Sequence, residues 1–247
     1  MKTDRHALIH IGTSGWHYQH WKGAFYPEKM QNRDLLAFYA EHFSCVEINN
    51  SFYQWPNTKT LLSWTLSVPE NFLFCLKANR SITHMKKLKD PDQTRPPLLN
   101  CAESLGHRLG PILFQLPPSW RANPSRLEVF LESLPRNYRC AFEFRDASWF
   151  TSRIYSVLSD HNAAFCIYDF GGFLSPKKIT ADFVYVRLHG PGDKYQGSYD
   201  AHTLSGWAGA FSTWALKGKE IFCFFDNDQS GYAAVNALKL QDMLMKG

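Results

Sequence analysis

Eight short apolar runs, each ending in polar residues, constrain the fold of this chain more than any other feature of its sequence. The runs are rich in Val, Ile and Phe, and they have the length and composition of buried β-strands. They cover Leu8–Gly12, Cys45–Asn49, Phe72–Asn79, Pro111–Leu116, Cys140–Arg145, Ala164–Asp169, Phe183–His189 and Ile221–Asp226.

Stretches with the apolar period of a helix follow all but one of these runs. They cover Asn32–Phe43, Thr58–Ser67, Pro97–Leu109, Pro124–Leu134, Phe150–His161, His202–Leu216 and Gly231–Met245. The exception is the segment from Gly171 to Asp182, for which we predict a short or irregular connection. The chain therefore alternates strand and helix along its whole length.

This alternation indicates a barrel of strands surrounded by helices. Eight units in 247 residues correspond to about 30 residues per unit, the size expected of a (β/α)8 barrel. The competing fold, a doubly wound open sheet, usually has a G-x-G-x-x-G turn after its first strand, and Gly12, Gly15 and Gly23 lack that spacing. No linker or internal repeat interrupts the chain. We predict an α/β fold, a TIM-like (β/α)8 barrel, as a single domain over residues 1–247.

Composition excludes several other classes of protein. A hydrophobic content of 45% is sufficient for a packed core, which excludes disorder as the main description. The six cysteines are widely spaced with no C-x-x-C pair, so we expect reduced core residues. No run approaches the ~18 apolar residues of a membrane span, and charges occupy the place of a signal peptide's apolar stretch. We therefore expect a cytoplasmic protein without membrane contact.

Polar residues at the ends of the predicted strands locate the expected site, because TIM-barrel sites form at the C-terminal ends of the strands. The charged candidates are Glu47, Glu143 and Asp226 against Lys77, Arg145 and Arg187, with His189 titratable near neutrality. Three carboxylates and three cations are balanced, whereas a hard-metal site concentrates carboxylates without interleaved arginines. We predict no cofactor and no metal; a divalent metal on Glu47, Glu143 and His189 is the alternative.

Several motifs resemble those of one known family. They are GTSGW (12–16), W-x-G-x-F-Y-P (21–27), F-x-x-V-E-I-N-x-S-F-Y (43–53), F-x-F-x-x-K (72–77), Q-L-P-P (115–118), E-F-R (143–145), R-L-H-G (187–190) and F-F-D-N-D-x-x-G-x-A-x-x-N-A (224–237). In this order the set resembles the YecE-like family, also called DUF72, over essentially the whole chain. The resemblance implies a TIM-like barrel without an established activity. Asp226 stands where asparagine is more common in that family, so the resemblance implies no essential carboxylate there.

The residue types suggest roles within a substrate pocket. Glu143, His189 and Glu47 are the candidate catalytic acids and bases, while Arg145 and Arg187 suit bidentate binding of a phosphate or carboxylate. The predicted substrate-binding residues are Ser14, Trp16, Asn49, Tyr53, Lys77, Gln115, Arg145, Trp149, Arg187, Tyr195, Asp226 and Asn227. The competing interpretation is a buried ion-pair network without a ligand.

A basic segment and an excess of aromatic residues add to the expected site. Residues 77–95 contain six Lys and Arg against two Asp, a local excess of +4. Such a segment is either a solvated surface or a region that attracts an anionic substrate. Aromatic residues after several strands are individually typical of packing, and together they suggest a ligand with a flat ring.

Three kinds of function fit these features. The first is an enzyme, a hydrolase or lyase, acting on a phosphate-bearing or nucleotide-like anion. The second is a nucleic-acid-binding protein, with single-stranded or damaged nucleic acid as partner and repair-type chemistry as a possible activity. The third is a carbohydrate-active enzyme using Glu47 and Glu143, or a non-catalytic ligand-binding barrel.

Overall fold

The computed structural model describes residues 8–246 and contains eight parallel strands that alternate with helices. The strands are β1 (Ile9–Thr13), β2 (Cys45–Ile48), β3 (Leu73–Lys77), β4 (Leu109–Gln115), β5 (Cys140–Glu143), β6 (Ala164–Phe170), β8 (Phe183–Leu188) and β9 (Glu220–Phe225), with a two-residue antiparallel strand β7 (Phe173–Leu174). The helices are α1 (Leu35–His42), α2 (Thr58–Leu66), α3 (Pro91–Thr94), α4 (Pro96–Leu105), α5 (Pro124–Ser133), α6 (Ser152–Asp160), α7 (Ala201–Leu216) and α8 (Tyr232–Lys246).

The order of the strands in the sheet is that of a TIM-like barrel. Neighbouring strands follow the order β1-β9-β8-β6-β5-β4-β3-β2, and β7 lies off this path, paired with β6. An isolated parallel bridge between Ser14 and Glu47 connects the chain after β1 to β2, the two ends of that order. The predicted fold class is therefore confirmed as a nearly closed barrel of eight parallel strands.

Contacts divide the described chain into two compact units. The first contains residues 8–47, 167–175 and 182–246, and the second contains residues 48–166 and 176–181. The single domain over residues 1–247 stays a prediction.

In the first unit, β1, β9 and β8 pair in register; β8 and β9 are buried along nearly their whole length, and β1 is buried in its last three residues. β8 pairs with β9 from Phe183 opposite Glu220 to Leu188 opposite Phe225. Every residue of β8 is buried, as expected of a parallel strand covered on both faces. The rings that follow β1 pack against one another, with Phe25 and Tyr26 centroids 4.8 Å apart. Tyr26 is buried in the core, whereas Phe25 is half-buried.

In the second unit, β3, β4 and β5 pair in parallel, and side chains cap the helices that follow. Gln115 of β4 is paired with Glu143 of β5. The side chains of Asn57, Asn123 and Thr151 accept hydrogen bonds from backbone N–H groups three residues later, at the first turns of α2, α5 and α6. These caps use donors that a helix cannot satisfy internally, so they set where the three helices begin.

One sequence prediction about local structure is wrong for a physical reason. The helix predicted to continue to Leu109 ends at Leu105, because Gly106 adopts a positive φ of 56° that terminates it. The short or irregular connection predicted for residues 171–182 is confirmed: Gly171 and Gly172 both have positive φ and form the tight turn that pairs the two-residue β7 with β6. The short helix α3 was not predicted.

The predicted state of the cysteines is confirmed, since all six are buried and free. Burial raises the pKa of the Cys140 thiol to about 12, which suits an inert core residue. Between residues 8 and 246, no helix combines the length and apolar character that crossing a bilayer requires.

Candidate functional site

Glu47, in β2, is the centre of a buried polar cluster in the first unit. The Ser14 hydroxyl donates to its Oε1 at 2.7 Å, and the Tyr185 hydroxyl donates to its Oε2 at 2.8 Å. Arg187 donates to Oε1 from Nε at 3.2 Å and from Nη2 at 2.7 Å. Both carboxylate oxygens are thus engaged by groups of the chain itself.

Arg187 connects Glu47 to Asp226 and His189. Its Nη2 donates to Asp226 Oδ2 at 3.0 Å, and its Nη1 lies 3.3 Å from His189 Nε2. His189 Nδ1 lies 2.9 Å from Asp226 Oδ2. The imidazole of His189 therefore lies between the Arg187 guanidinium and the Asp226 carboxylate.

This first-unit cluster has the properties of a buried ion-pair network. Glu47, Arg187 and His189 each expose 0% of their surface. The local field is negative: burial first, and then Asp226, Asp228 and Glu47, raise the pKa of Tyr18. Because one guanidinium lies between two carboxylates, Arg187 has a positioning role here, and the cluster is poorly suited to a phosphate.

A second polar cluster follows β3, β4 and β5 in the second unit. Gln115 Nε2 donates to Glu143 Oε1 at 2.8 Å, and Arg145 Nε donates to the same oxygen. Glu143 is fully buried, whereas Gln115 and Arg145 are partly exposed. Glu143 therefore orients two donors that retain some exposure.

Two cations and Glu143 act electrostatically on one imidazole, that of His84, beside two aromatic rings. Lys77 Nζ lies 4.7 Å from the centroid of the Phe52 ring, and Arg80 Cζ lies 5.9 Å from that of Tyr53. The imidazole of His84 packs edge-on against Phe52 with centroids 5.0 Å apart. We name the group Phe52, Tyr53, Lys77, Arg80, His84, Gln115, Glu143 and Arg145 the second-unit cluster.

The field of the second-unit cluster is positive. Burial, followed by the charges of Lys77 and Arg80, lowers the pKa of His84, and Glu143 opposes this shift. An imidazole with a lowered pKa is uncharged at neutral pH and can accept a proton. The two clusters therefore have opposite electrostatic character.

The basic segment 77–95 is anchored to the second unit. Leu88 is 2% exposed, although it and its neighbour Lys87 have positive φ angles of 64° and 50°. The two carboxylates of the segment pair locally, Asp90 with Lys86 at 3.0 Å and Asp92 with Arg95 at 3.1 Å. Residues 77–95 as a whole keep a net charge of +4.

Of the other predicted binding residues, three are built into the packing. Trp16 is 8% exposed, and Trp149 is fully buried with its indole N–H donating to the Trp120 carbonyl at 2.6 Å. Asn227 is fully buried and donates to Gly197 O and Asn236 Oδ1, each at 2.8 Å. Their burial favours structural roles.

Asn49, Tyr53 and Tyr195 keep exposed surface. Asn49 is partly exposed and precedes the 3-10 turn Asn50–Phe52. Tyr53 is 72% exposed and Tyr195 is 44% exposed. Among the predicted aromatic residues, these two tyrosines are available to a ligand.

Sequence reasoning missed His84 and Tyr185 as members of the two clusters. Tyr185 is two residues before Arg187 in β8, and residues two apart in a strand point to the same face, so the alternation contained a usable signal. His84 lies in a π-helical turn, Ser81–Met85, which has no comparable sequence pattern.

The three residues predicted as catalytic acids and bases, Glu47, Glu143 and His189, lie in two different units. Glu47 and His189 belong to the first-unit cluster, and Glu143 belongs to the second. Within the described range 8–246, no group of three His, Cys, Asp or Glu side chains has an arrangement that could hold a metal ion.

Comparison with known proteins agrees with this fold. UPF0759 protein YunF of Bacillus subtilis is 25% identical over 270 residues, spanning 96% of this chain and 95% of that protein. UPF0759 protein YecE of Escherichia coli K12 is 30% identical over 146 residues, spanning 58% of this chain and 50% of that protein.

Two crystal structures of DUF72 family proteins are also similar. The protein from Thermotoga maritima has a TM-score of 0.88 and 30% identity, covering 96% of this chain and 99% of that one. The protein from Enterococcus faecalis has a TM-score of 0.76 and 20% identity, covering 96% of each chain, and shows the fold alone. The family model described as "Protein of unknown function DUF72" matches residues 10–247. With a match of this extent, the chain belongs to the DUF72 family.

Proposed function

We propose that this protein is an enzyme, a hydrolase or lyase, that binds a phosphate-bearing, nucleotide-like anion at the second-unit cluster. The observation that carries the proposal is that the charges of Lys77, Arg80 and Glu143 all act on His84, beside the rings of Phe52 and Tyr53, while Arg145 pairs with Glu143. Three cations against one carboxylate leave a positive excess where the rings also lie.

The anion-binding step rests on the donors that Glu143 orients. Arg145 is held through its Nε by a fully buried carboxylate, so little side-chain entropy is lost when its guanidinium meets an oxyanion. Lys77 supplies a point charge, and its ammonium group lies over the Phe52 ring, 4.7 Å from the centroid. Hydrogen bonds between ionised partners are about twice as strong as neutral ones.

The ring-binding step rests on Tyr53. This ring is 72% exposed and lies edge-on to Phe52 with centroids 5.0 Å apart. An exposed ring beside an arginine is a typical stacking surface for a nucleobase. The exposed ring of Tyr53 thus supports a ring-bearing anion, rather than phosphate alone, as the proposed ligand.

The proton-transfer step is assigned to His84. Its lowered pKa leaves it unprotonated at neutral pH, so it can take a proton from a water molecule or from a substrate carbon. Glu143 is then a positioning residue, because its exposure is 0% and its carboxylate is engaged by Gln115 and Arg145.

Isothermal titration calorimetry with adenosine 5′-monophosphate tests the binding proposal. We expect the nucleotide to bind more tightly than inorganic phosphate or adenosine, and less tightly at higher salt. Lys77→Met should weaken binding by roughly tenfold to a hundredfold, the value of a hydrogen bond to a charged group. Tyr53→Ala should weaken it by about tenfold through lost stacking.

Lys178→Met provides the matched control. Lys178 is exposed and also lies over a ring, with its Nζ 5.7 Å from the Tyr155 centroid. We expect this variant to bind the nucleotide like the wild type. Equal losses in Lys77→Met and Lys178→Met, or no binding at low salt, would contradict the proposal.

Single-stranded nucleic acid is a second candidate ligand for the same surface. The specific observation is the exposure of Tyr53 and Met85, 72% and 71%, beside the lysines of segment 77–95. Titration of oligothymidylate at two salt concentrations separates the candidates. A nucleic-acid-binding function predicts affinity that rises with oligonucleotide length and a steep dependence on salt. A mononucleotide site predicts no dependence on length and a shallower dependence on salt.

A further inference from the structure

An open groove in the first unit lies beside the loops that follow β1, β8 and β9. It has a volume of about 680 Å³ and is lined by Lys194, Tyr195, Gln196, Asp228, Gln229 and Ser230, with His20 at its side. We propose that this groove binds a neutral sugar ring. None of its residues belongs to the second-unit cluster, so the inference does not depend on the proposed function.

Asp228 supplies a fixed acceptor in the groove. Its Oδ1 accepts the indole N–H of Trp21 at 2.6 Å and lies 3.2 Å from Nε2 of His20. Within the described chain its Oδ2 has no hydrogen-bond partner, and the side chain is 25% exposed. One oxygen therefore holds the carboxylate in place while the other can accept from a ligand hydroxyl.

Tyr195 supplies an aromatic face that the backbone holds at the groove. Its N–H donates to His189 O at 2.7 Å, and its carbonyl accepts from Gln229 N at 3.4 Å. The ring packs edge-on against Phe170 and His189, each with a centroid distance of 5.5 Å, yet remains 44% exposed. Its φ of 63° is unfavourable for a bulky residue, and such strain is often maintained at ligand sites.

The charges of the lining favour a neutral ligand. The groove carries one carboxylate, Asp228, and one ammonium, Lys194. A phosphate would lie beside the carboxylate, and a cation would lie beside the ammonium. Sugar hydroxyls can donate to Asp228 and accept from Lys194 and the Gln196 or Gln229 amides, while the C–H face of the ring covers Tyr195. The observed mixture of groups satisfies such a ligand without an unpaired charge.

The indole N–H of Trp21 is a local reporter, since it donates to Asp228. We would titrate glucose, galactose and maltose separately into the 15N-labelled protein and follow this resonance by NMR. At least one of these sugars should shift it in a saturable manner. Tyr195→Ala and Asp228→Asn should each raise the Kd by about fivefold or more, with thermal unfolding showing that both variants are folded.

Tyr53→Ala is the matched control, because Tyr53 is also an exposed tyrosine but lies in the second unit. It should leave sugar binding unchanged while weakening nucleotide binding, and Tyr195→Ala should do the reverse. The inference is overturned if none of the three sugars shifts the resonance, if the affinity does not respond to Tyr195→Ala, or if inorganic phosphate or arginine amide binds there in place of the sugars.

Discussion

Replacing Arg187 by methionine should destabilise the protein far more than replacing an exposed cation. Arg187 is fully buried and donates to both Glu47 and Asp226. Methionine has a similar length but no charge, so Arg187→Met leaves two carboxylates in the first-unit cluster without their shared guanidinium. The cost is mainly that of buried negative charge without a counter-ion.

The burial of this cluster sets the magnitude of the effect. Breaking a buried ion pair by removing one partner costs about 3–5 kcal/mol of unfolding free energy. For a chain of this size, this corresponds to a decrease in Tm of roughly 6–20 °C. Arg80→Met, which removes an exposed arginine, should cost less than about 1 kcal/mol.

Urea unfolding, followed by circular dichroism, measures both variants against the wild type. Combining Glu47→Gln with Arg187→Met should cost less than the sum of the single changes, by about 0.5–3 kcal/mol, because the two side chains are in direct contact. A loss below about 1 kcal/mol for Arg187→Met, similar to the exposed control, would refute the assignment of a buried ion-pair network.

Three further predictions concern titration and backbone geometry. Because Lys77 helps to lower the pKa of His84, Lys77→Met should raise that pKa toward 6.5 in an NMR titration; an unchanged pKa would mean that the two groups do not interact. Burial raises the pKa of Asp169 in the folded chain above 3.8, its ordinary value. Between 3.8 and the raised pKa, the folded chain binds more protons than the unfolded chain, so the free energy of unfolding falls as pH rises through that interval. Asp169→Asn should therefore be more stable than the wild type at pH 7 in urea unfolding, with a smaller gain at pH 4, and a gain that grows on acidification would contradict this sign. A Cβ on Gly190, where φ is 119°, would lie 2.2 Å from Gln196 O, so Gly190→Ala should lower the free energy of unfolding by about 1–3 kcal/mol. Gly192→Ala is the control and should cost much less, because a Cβ there would have no atom within 4 Å. Similar urea midpoints for the two variants would disprove the steric argument.

The fold could be predicted because the repeating unit is encoded locally. Runs such as Phe183–Val186 and Ile221–Phe225 are continuous apolar segments, and parallel strands buried on both faces require such segments. The ends of the helices were less predictable where a single residue determines the backbone conformation, as Gly106 does after α4. The turn at Gly171 and Gly172 carried a hairpin signal, but β7 is only two residues long and lacks the alternation by which strands are recognised.

The candidate site could be predicted as a set of residues but not as a set of contacts. The carboxylates and cations at the strand ends were identified from the sequence, and yet which cation pairs with which carboxylate depends on strands far apart in the chain. Arg187 and Glu47 are 140 residues apart and in contact, while Arg145 pairs with Glu143 two residues away. Charge balance alone does not predict either pairing. The two clusters have fields of opposite sign because of these pairings.

A crystal structure of the protein with adenosine 5′-monophosphate tests most directly whether the second-unit cluster is the anion site. We predict phosphate oxygens within hydrogen-bonding distance of Lys77 or Arg145 and the base stacked on Tyr53. A phosphate bound to Arg187 instead, with Glu47 displaced from the guanidinium, would contradict the assignment of the two clusters.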